Sequence, residues 1–194
     1  MTHIKKRMIE FYKQGNLPWD RELPPPEVID IMELLSPGRA LDLGCGVGRA
    51  ARYMAARGWQ VDAVDFVPQA IELAKVNSAD FTGINYHLAS VTELDFLTPA
   101  YQFALDVGCA HALNRTELRQ YGDHLSRLMA PNGIFLLYGR LREDNAEDDG
   151  PSGFVEETLF SVFEKSFFLS KVEYGETHVL DMQWSSAWYW WQKR

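Results

Sequence analysis

The sequence predicts an α/β fold in which short apolar strands alternate with helices, and two stretches carry most of that prediction. The first is Leu41-Asp42-Leu43-Gly44-Cys45-Gly46-Val47-Gly48-Arg49, where an apolar strand ends in alternating glycines and a helix begins at once. The second is the β-branched stretch 60–65, whose final acid lies 21 positions after Gly44. Glycine permits positive φ and close ligand approach, and a helix N-terminus offers unpaired N–H groups. We therefore expect a nucleotide-type binding loop whose backbone amides around residues 44–48 hold the ligand.

The spacing around Gly44 argues against two common phosphate-binding loops. A dinucleotide fingerprint needs a third small residue at position 49, where the chain has Arg49, and a Walker loop needs Gly-Lys-Ser/Thr, which is absent. What remains is Asp42, two residues before the first glycine, followed by Gly-x-Gly-x-Gly. This pattern resembles the first motif of the class I S-adenosylmethionine-dependent methyltransferases. The resemblance implies a Rossmann-like, doubly wound sheet of seven strands, mostly parallel with an antiparallel C-terminal hairpin, and helices on both faces.

Asp65 is the residue expected to bind the ribose, because an acid about 20 residues after the first glycine meets ribose hydroxyls in dinucleotide-binding folds. The alternative is that Asp65 only caps the helix opened by Pro68. The later turn at Ser90 resembles the family's adenine-contacting turn, although an acid is common there; the alternative is a plain surface turn. The resemblance implies S-adenosylmethionine as cofactor and S-adenosylhomocysteine as product. The expected cofactor-binding residues are Trp19, Asp42, Gly44, Cys45, Gly46, Gly48, Asp65, Phe66, Ser90, Val91 and Asp106.

The composition fits one globular domain of 194 residues, 46% hydrophobic and 24% charged. We expect a single methyltransferase domain over 1–194, with an N-terminal cover and arm (1–38), a cofactor-binding core (39–139) and a C-terminal part (140–194). A net charge of −8 without a basic stripe argues against nucleic acid as a partner. No apolar run reaches the ~18 residues of a membrane span, so we expect no membrane partner and a cytoplasmic protein. Only two cysteines occur, so no disulfide scaffold or metal cluster is expected.

The helices and strands follow from hydrophobic periodicity and from their start and stop residues. Gly15 ends the first helix, Pro26 and Pro68 open two others, and Asn114 caps a long one that should end at Pro131-Asn132-Gly133. The predicted helices cover about 4–12, 26–35, 48–57, 68–76, 115–130 and 155–165. The predicted strands cover 40–43, 60–65, 84–88, 103–107, 134–139, about 167–177 and 182–191.

Three further segments lie outside this core pattern. Pro18-Trp19-Asp20 resembles a stretch of the thiopurine and related small-molecule methyltransferases that helps close over the cofactor. This resemblance would place Trp19 near the methionine end, whereas the alternative is that it only packs the arm. The acidic loop 143–150 is a lid or a solvated excursion. The cluster of Trp184, Trp188, Tyr189, Trp190 and Trp191 is expected to be strand packing rather than a substrate cage.

His111 is the candidate catalytic residue. It follows the fourth strand, and ligands in doubly wound sheets bind beyond the carboxyl ends of strands. An imidazole titrates near neutral pH and could remove a proton from a hydroxyl acceptor, whereas an amine or thiol can need only alignment. The alternative is a histidine that packs against the cofactor or satisfies a backbone group.

The sequence thus predicts an enzyme that transfers a methyl group from S-adenosylmethionine to a small-molecule thiol, amine or hydroxyl by in-line displacement. Asp106-Val107-Gly108-Cys109 does not match the Asp/Asn-Pro-Pro-aromatic motif of nucleic-acid amino-methyltransferases. Two other hypotheses remain. One is a protein that binds S-adenosylmethionine or S-adenosylhomocysteine as a sensor or partner without turnover. The other is an NAD-type oxidoreductase, which Arg49 and Asp42 disfavour.

Overall fold

The computed structural model describes residues 3–15, 17, 21–142, 153–179 and 182–194. Its strands form a seven-stranded sheet in the order β3-β2-β1-β4-β5-β7-β6, which confirms the predicted fold class. The helices are α1 His3–Gln14, α2 Pro26–Leu34, α3 Arg49–Ala55, α4 Pro68–Asn77, α5 Arg115–Leu128 and α6 Glu156–Phe163. The strands are β1 Arg39–Leu43, β2 Gln60–Asp65, β3 Ile84–Leu88, β4 Tyr101–Val107, β5 Met129–Arg140, β6 Phe167–Val179 and β7 Met182–Lys193. Among the described residues, no helix has the length and apolar character that crossing a membrane requires.

The chain separates into two compact units, Met1–Val91 and Thr92–Arg194. In the first unit, β1, β2 and β3 pair in parallel, with Leu43 opposite Val64 and Asp65 opposite Leu88. The bounds of β2 and β3 are those predicted, and α4 begins at Pro68 without a side-chain cap, as expected from Val67. Strand β1, of which residues 40–43 are all buried, has the nearly continuous apolar sequence expected of a parallel strand covered on both faces.

In the second unit, α5 begins with the predicted Asn114 cap. The Asn114 side chain accepts hydrogen bonds from the amides of Thr116 at 2.9 Å and Glu117 at 3.0 Å. The Glu117 carboxylate accepts the Asn114 amide in return at 3.0 Å, which completes a capping box. Helix α5 buries Leu118, Tyr121, Leu125 and Leu128 on one face.

The predicted start of β5 is wrong. The helix α5 ends at Leu128, and Pro131-Asn132-Gly133 lies inside β5, which begins at Met129. Tyr101 of β4 pairs with Met129, but Phe103 pairs with Ile134, so residues 130–133 of β5 lie opposite the single residue 102 of β4. Asn132 has φ 63°, the left-handed conformation that asparagine tolerates better than most residues. The turn-forming residues therefore make a bulge within a strand instead of ending a helix.

The two C-terminal strands pair antiparallel to each other, and β7 pairs antiparallel to β5. One face of β7 packs on α6, with the rings of Trp191 and Phe163 5.5 Å apart. On the opposite face, Trp188 lies beside Tyr138 of β5 with ring centroids 5.0 Å apart. These contacts confirm strand packing for part of the aromatic cluster. The acidic loop 143–150 lies outside the described residues.

Candidate active site

The glycine loop of the first unit is shaped by hydrogen bonds from its own amides. Gly44, Gly46 and Gly48 all have positive φ, between 56° and 78°. The amides of Gly44 and Cys45 donate to the Val64 carbonyl at 2.8 and 3.0 Å, and the Gly48 amide donates to the Cys45 carbonyl at 3.0 Å. The Gly46 amide donates to the Asp65 carboxylate at 2.9 Å. These four amides therefore maintain the shape of the loop, and the role of the backbone at residues 44–48 in holding the ligand stays a prediction.

Two tyrosines explain why positions 46 and 48 are glycine. A Cβ on Gly46 would lie 2.9 Å from the hydroxyl of Tyr12 in α1, and a Cβ on Gly48 would collide with the hydroxyl of Tyr86 in β3. Tyr86 shares a hydrogen bond of 2.7 Å with Ser78, and burial raises its pKa to about 12. Neither contact is visible in the sequence, because local periodicity does not indicate which loop a tyrosine of a strand or helix will contact.

Tyr12 also packs α1 against the start of α4, the helix that follows β2. Its ring packs in a cluster with Val47, Val67 and Ala70, and the predicted site residue Phe66 lies partly buried against this cluster. The first helix is therefore packed on the glycine loop and on the start of α4. Trp19, the other predicted site residue of the N-terminal segment, lies outside the described residues.

Asp65 stands at the end of β2, and only 6% of it is exposed. One carboxylate oxygen accepts the Val67 amide and the other accepts the Gly46 amide, each at 2.9 Å. Burial raises the pKa of Asp65, while these amides act in the opposite direction. Val67 directly precedes α4, so the carboxylate fixes the residue before that helix as well as the glycine loop. Each oxygen has a further lone pair that can accept a ligand hydroxyl.

The remaining predicted residues of this unit lie on the neighbouring strand ends. Asp42 near the end of β1 is 4% exposed, and Cys45 is buried in the loop. After β3, the Ala89 amide donates to the Asp65 carbonyl at 3.1 Å, which brings the turn of Ser90 and Val91 to the end of β2.

This arrangement fits S-adenosylmethionine. The bare Cα atoms of Gly46 and Gly48 form a surface that any side chain would fill. Asp65 is an acid at the strand end, where ribose hydroxyls need acceptors, and Asp42 adds a second carboxyl group beside the loop. A sulfonium and an ammonium group are both positive, so acids and carbonyl oxygens suit them better than amide donors.

In the second unit, Asp106 organises the turn that follows β4. It is fully buried, and its carboxylate accepts the amides of Cys109 and Ala110 at 2.8 and 3.0 Å. The Tyr121 hydroxyl of α5 donates to it at 2.9 Å. Burial raises the pKa of Asp106 to about 7 against the effect of these hydrogen bonds. Asp106 thus fixes the short 3-10 helix Ala110–Ala112 that carries His111.

His111 accepts a hydrogen bond from a backbone group, which is one of the alternatives to a proton-transfer role that the sequence left open. Its Nδ1 accepts the amide of Arg140, the last residue of β5, at 3.3 Å. Its ring meets Phe154 edge to face, with centroids 6.3 Å apart. Burial and the positive charge of Arg140 lower the pKa of His111 to about 4. The ring is therefore neutral at physiological pH.

The residues at the end of β5 and the start of β7 share one face of the sheet. The Arg140 guanidinium stacks on Trp184, with Cζ 3.5 Å from the ring centroid. The Tyr138 hydroxyl is 2.6 Å from the Thr177 hydroxyl, which is 2.8 Å from that of Ser186. The sequence indicates no role for Arg140 or Tyr138, since strand pairing across 46 and 50 residues brings them beside β7.

Comparison with known proteins agrees with the geometry. A family model described as a methyltransferase domain matches residues 40–133. A 2-heptyl-1-hydroxyquinolin-4(1H)-one methyltransferase of Mycobacteroides abscessus is 29% identical over 154 residues, covering 76% of this chain and 67% of the relative.

Two solved structures share the fold. The N-methyltransferase NodS from Bradyrhizobium japonicum, in complex with S-adenosylhomocysteine, superposes with a TM-score of 0.78 at 14% identity, covering 96% of this chain and 97% of that one. The 1,6-didemethyltoxoflavin-N1-methyltransferase of Burkholderia thailandensis, with bound 1,6-didemethyltoxoflavin and S-adenosylhomocysteine, gives 0.77 at 20% identity, covering 98% and 87%. The two structures show the class I fold, and the family-model match and the relative, together with the glycine loop, show a methyltransferase whose methyl donor is S-adenosylmethionine.

Proposed function

We propose that this enzyme methylates a small, flat heteroaromatic molecule at an oxygen, nitrogen or sulfur atom. The observation that carries the proposal lies in the second unit, where the aromatic ring of Trp184 at the start of β7 stacks against the Arg140 guanidinium. Stacking on aromatic rings favours planar ligands. The relative that acts on a hydroxyquinolone supports the same class of acceptor. Nucleic acid and membranes are not among its partners, and it works in the cytoplasm.

On the cofactor side, Asp65 accepts the ribose hydroxyls through the lone pairs that its two amide partners leave. Asp42 and the carbonyl oxygens of the glycine loop take the positive methionine end. Ser90 and Val91 contact the adenine, and Trp19 covers the cofactor. Bound S-adenosylmethionine supplies a methyl group activated by positive sulfur, so the chain's own task is alignment and exclusion of water. Asp106 is a positioning residue that acts through the turn carrying His111.

Calorimetric titration with S-adenosylmethionine, S-adenosylhomocysteine and NADH tests the cofactor assignment. We expect both adenosyl compounds to bind and NADH not to bind; binding of NADH alone would overturn the proposal and favour an oxidoreductase. Asp80→Ala, which removes an exposed acid from the same unit, should leave binding unchanged and serves as the control for Asp65→Ala.

Release of S-adenosylhomocysteine with a panel of acceptors tests the activity. The panel contains 1-hydroxyquinolin-4(1H)-one, a quinoline thiol, an aromatic amine and a simple phenol. Turnover with at least one heteroaromatic member is the expected result. Tight cofactor binding without turnover of any member would instead favour a sensor of S-adenosylmethionine.

A further inference from the structure

Three hydroxyl groups of the second unit form a hydrogen-bonded chain across three strands. The Tyr138 hydroxyl of β5 lies 2.6 Å from the hydroxyl of Thr177 in β6, which lies 2.8 Å from the Ser186 hydroxyl in β7. Ser186 is only 4% exposed, and its hydroxyl donates to the Gly175 carbonyl at 3.4 Å. The chain therefore begins at a partly exposed phenol and ends at a backbone carbonyl.

The direction of this hydroxyl chain follows from the number of its protons. Each hydroxyl has one proton to donate. Since the Ser186 proton goes to the Gly175 carbonyl, the proton between Ser186 and Thr177 must come from Thr177. The proton between Thr177 and Tyr138 must then come from Tyr138. All three protons are used within the chain, so the Tyr138 oxygen can only accept a hydrogen bond from a further group.

Tyr138 lies at the part of the second unit where the proposed acceptor would bind. It pairs with Val107, the last residue of β4, and ligands of doubly wound sheets bind beyond the carboxyl ends of strands. A Cβ on Gly108, the next residue, would lie 4.0 Å from the Tyr138 ring carbon Cδ1. Thr177, which accepts the Tyr138 proton, is the register partner of Trp184, the residue of the proposed aromatic contact. The Tyr138 side chain therefore extends from the end of β4 to the strand pair at which β7 begins.

The phenol is held in place by contacts on its ring and on its oxygen. Trp188, its register partner in β7, packs against it with ring centroids 5.0 Å apart. Among the residues that the structure describes, Thr177 alone hydrogen-bonds to the Tyr138 hydroxyl. An acceptor that is fixed in this way favours a ligand with a donor at the matching position, because a ligand without that donor leaves the oxygen unpaired.

We propose that the Tyr138 oxygen accepts a hydrogen bond from the O–H or N–H group at which the acceptor is methylated, so that the enzyme binds the unmethylated acceptor and rejects the methylated product. This inference rests on the proposed function. The methylated product lacks the proton that Tyr138 accepts, and a site built to bind a hydroxyl or N–H group rejects analogues without it. The hydroxyl chain ends at a carbonyl, which takes up no proton, so Tyr138 is a hydrogen-bond acceptor and not a proton route.

The test is calorimetric titration of the full chain, saturated with S-adenosylhomocysteine, with 1-hydroxyquinolin-4(1H)-one and with 1-methoxyquinolin-4(1H)-one. The pH is one at which absorbance shows the hydroxy compound to be un-ionised. Wild type should bind the hydroxy compound about tenfold more tightly, the effect of one hydrogen bond whose acceptor is otherwise left unpaired. Equal affinity for the two compounds would overturn this inference alone. Binding of S-adenosylhomocysteine without binding of either quinolone would overturn the proposed function and this inference with it.

Tyr138→Phe removes the hydroxyl and keeps the ring that packs on Trp188. The preference for the hydroxy compound should fall below about threefold because that compound binds more weakly, while S-adenosylhomocysteine binding stays unchanged. Tyr174→Phe is the matched control, because it removes another tyrosine hydroxyl of the same unit, one that donates to Glu156 at 3.0 Å. The control should keep the wild-type preference. Full preference in Tyr138→Phe, or an equal loss in the control, would contradict the assignment.

Ser186→Ala tests the direction of the hydroxyl chain while Tyr138 and Thr177 stay in place. Without Ser186 as its acceptor, the Thr177 proton can turn to the Tyr138 oxygen, and the Tyr138 proton then becomes available to a ligand. This variant should lose the preference because the methoxy compound, whose ether oxygen accepts that proton, binds more tightly than it does to wild type. An unchanged preference, or weaker binding of both compounds by the same factor, would indicate a structural role only and overturn the inference.

Discussion

The buried carboxyl group of Asp106 predicts an unusual dependence of stability on pH. Burial raises its pKa from 3.8 to about 7 in the folded chain. A group whose pKa is raised by folding contributes its full stability below the unfolded pKa, and that contribution is lost as the pH rises through the folded pKa. A difference of about 3 in pKa, at ~1.4 kcal/mol per unit, corresponds to ~4 kcal/mol. We expect the free energy of unfolding to fall by up to this amount between pH 4 and pH 8.

Urea unfolding of wild type and Asp106→Asn at pH 4 to 8 measures this contribution. Asparagine cannot ionise, so the wild-type free energy of unfolding should decline relative to the variant as the pH rises. Asp123→Asn, on the exposed side of α5, controls for the loss of one negative charge. Curves for wild type and Asp106→Asn that stay parallel over the whole range would refute the reasoning.

The Tyr121 hydroxyl provides an internal check. It donates to the Asp106 carboxylate at 2.9 Å and thereby stabilises the charged form. Tyr121→Phe removes this donor without changing the ring, so the pKa of Asp106 should rise further. The decline in the free energy of unfolding should then continue to a higher pH than in wild type. An unchanged profile would mean that this hydrogen bond has no influence on the ionisation of Asp106.

Three other predictions concern the first unit and the cap of α5. Asp65→Ala should weaken S-adenosylhomocysteine binding by ~1–3 kcal/mol in calorimetry, the scale of losing charge-assisted hydrogen bonds; unchanged affinity would contradict the ribose assignment. Gly48→Ala should lower the free energy of unfolding by more than the ~1 kcal/mol that an alanine in the left-handed conformation costs, because its Cβ would collide with the Tyr86 hydroxyl. In a double-mutant cycle, Tyr86→Phe removes that hydroxyl and should restore part of the loss. Asn114→Ala should cost ~1 kcal/mol in urea unfolding, and a loss below a few tenths would deny the cap a role.

Much of the fold was predictable because its strongest signals are local. The strands β2 and β3 have their predicted bounds, and α4 and α5 begin at the predicted positions. Proline at a first turn and an Asn-x-x-Glu capping box act within a few residues. The start of β5 was missed because Pro131-Asn132-Gly133 has the composition of a turn, and only pairing with β4 turns it into a bulge. Such long-range pairing leaves no mark in the local sequence.

The candidate site likewise has features that the sequence predicts and features that depend on contacts with distant residues. The sequence indicated the glycine loop and Asp65, but not that four of the loop amides donate hydrogen bonds to Val64, Cys45 and Asp65. The acceptors of those amides are supplied partly by a neighbouring strand, so residue spacing alone could not reveal them. The partner of His111 was hidden for the same reason, because Arg140 lies 29 residues away in sequence. The role of Trp19 stays a prediction.

The internal hydrogen bonds of the glycine loop have a consequence for ligand binding. A loop whose shape is already maintained by Val64 and Asp65 is preorganised, so little conformational entropy remains to be lost when a nucleoside docks. Nucleoside recognition then makes few demands on the remainder of the chain. The proposed acceptor contact at Trp184 predicts that exchanges at the start of β7 alter acceptor specificity without changing that loop.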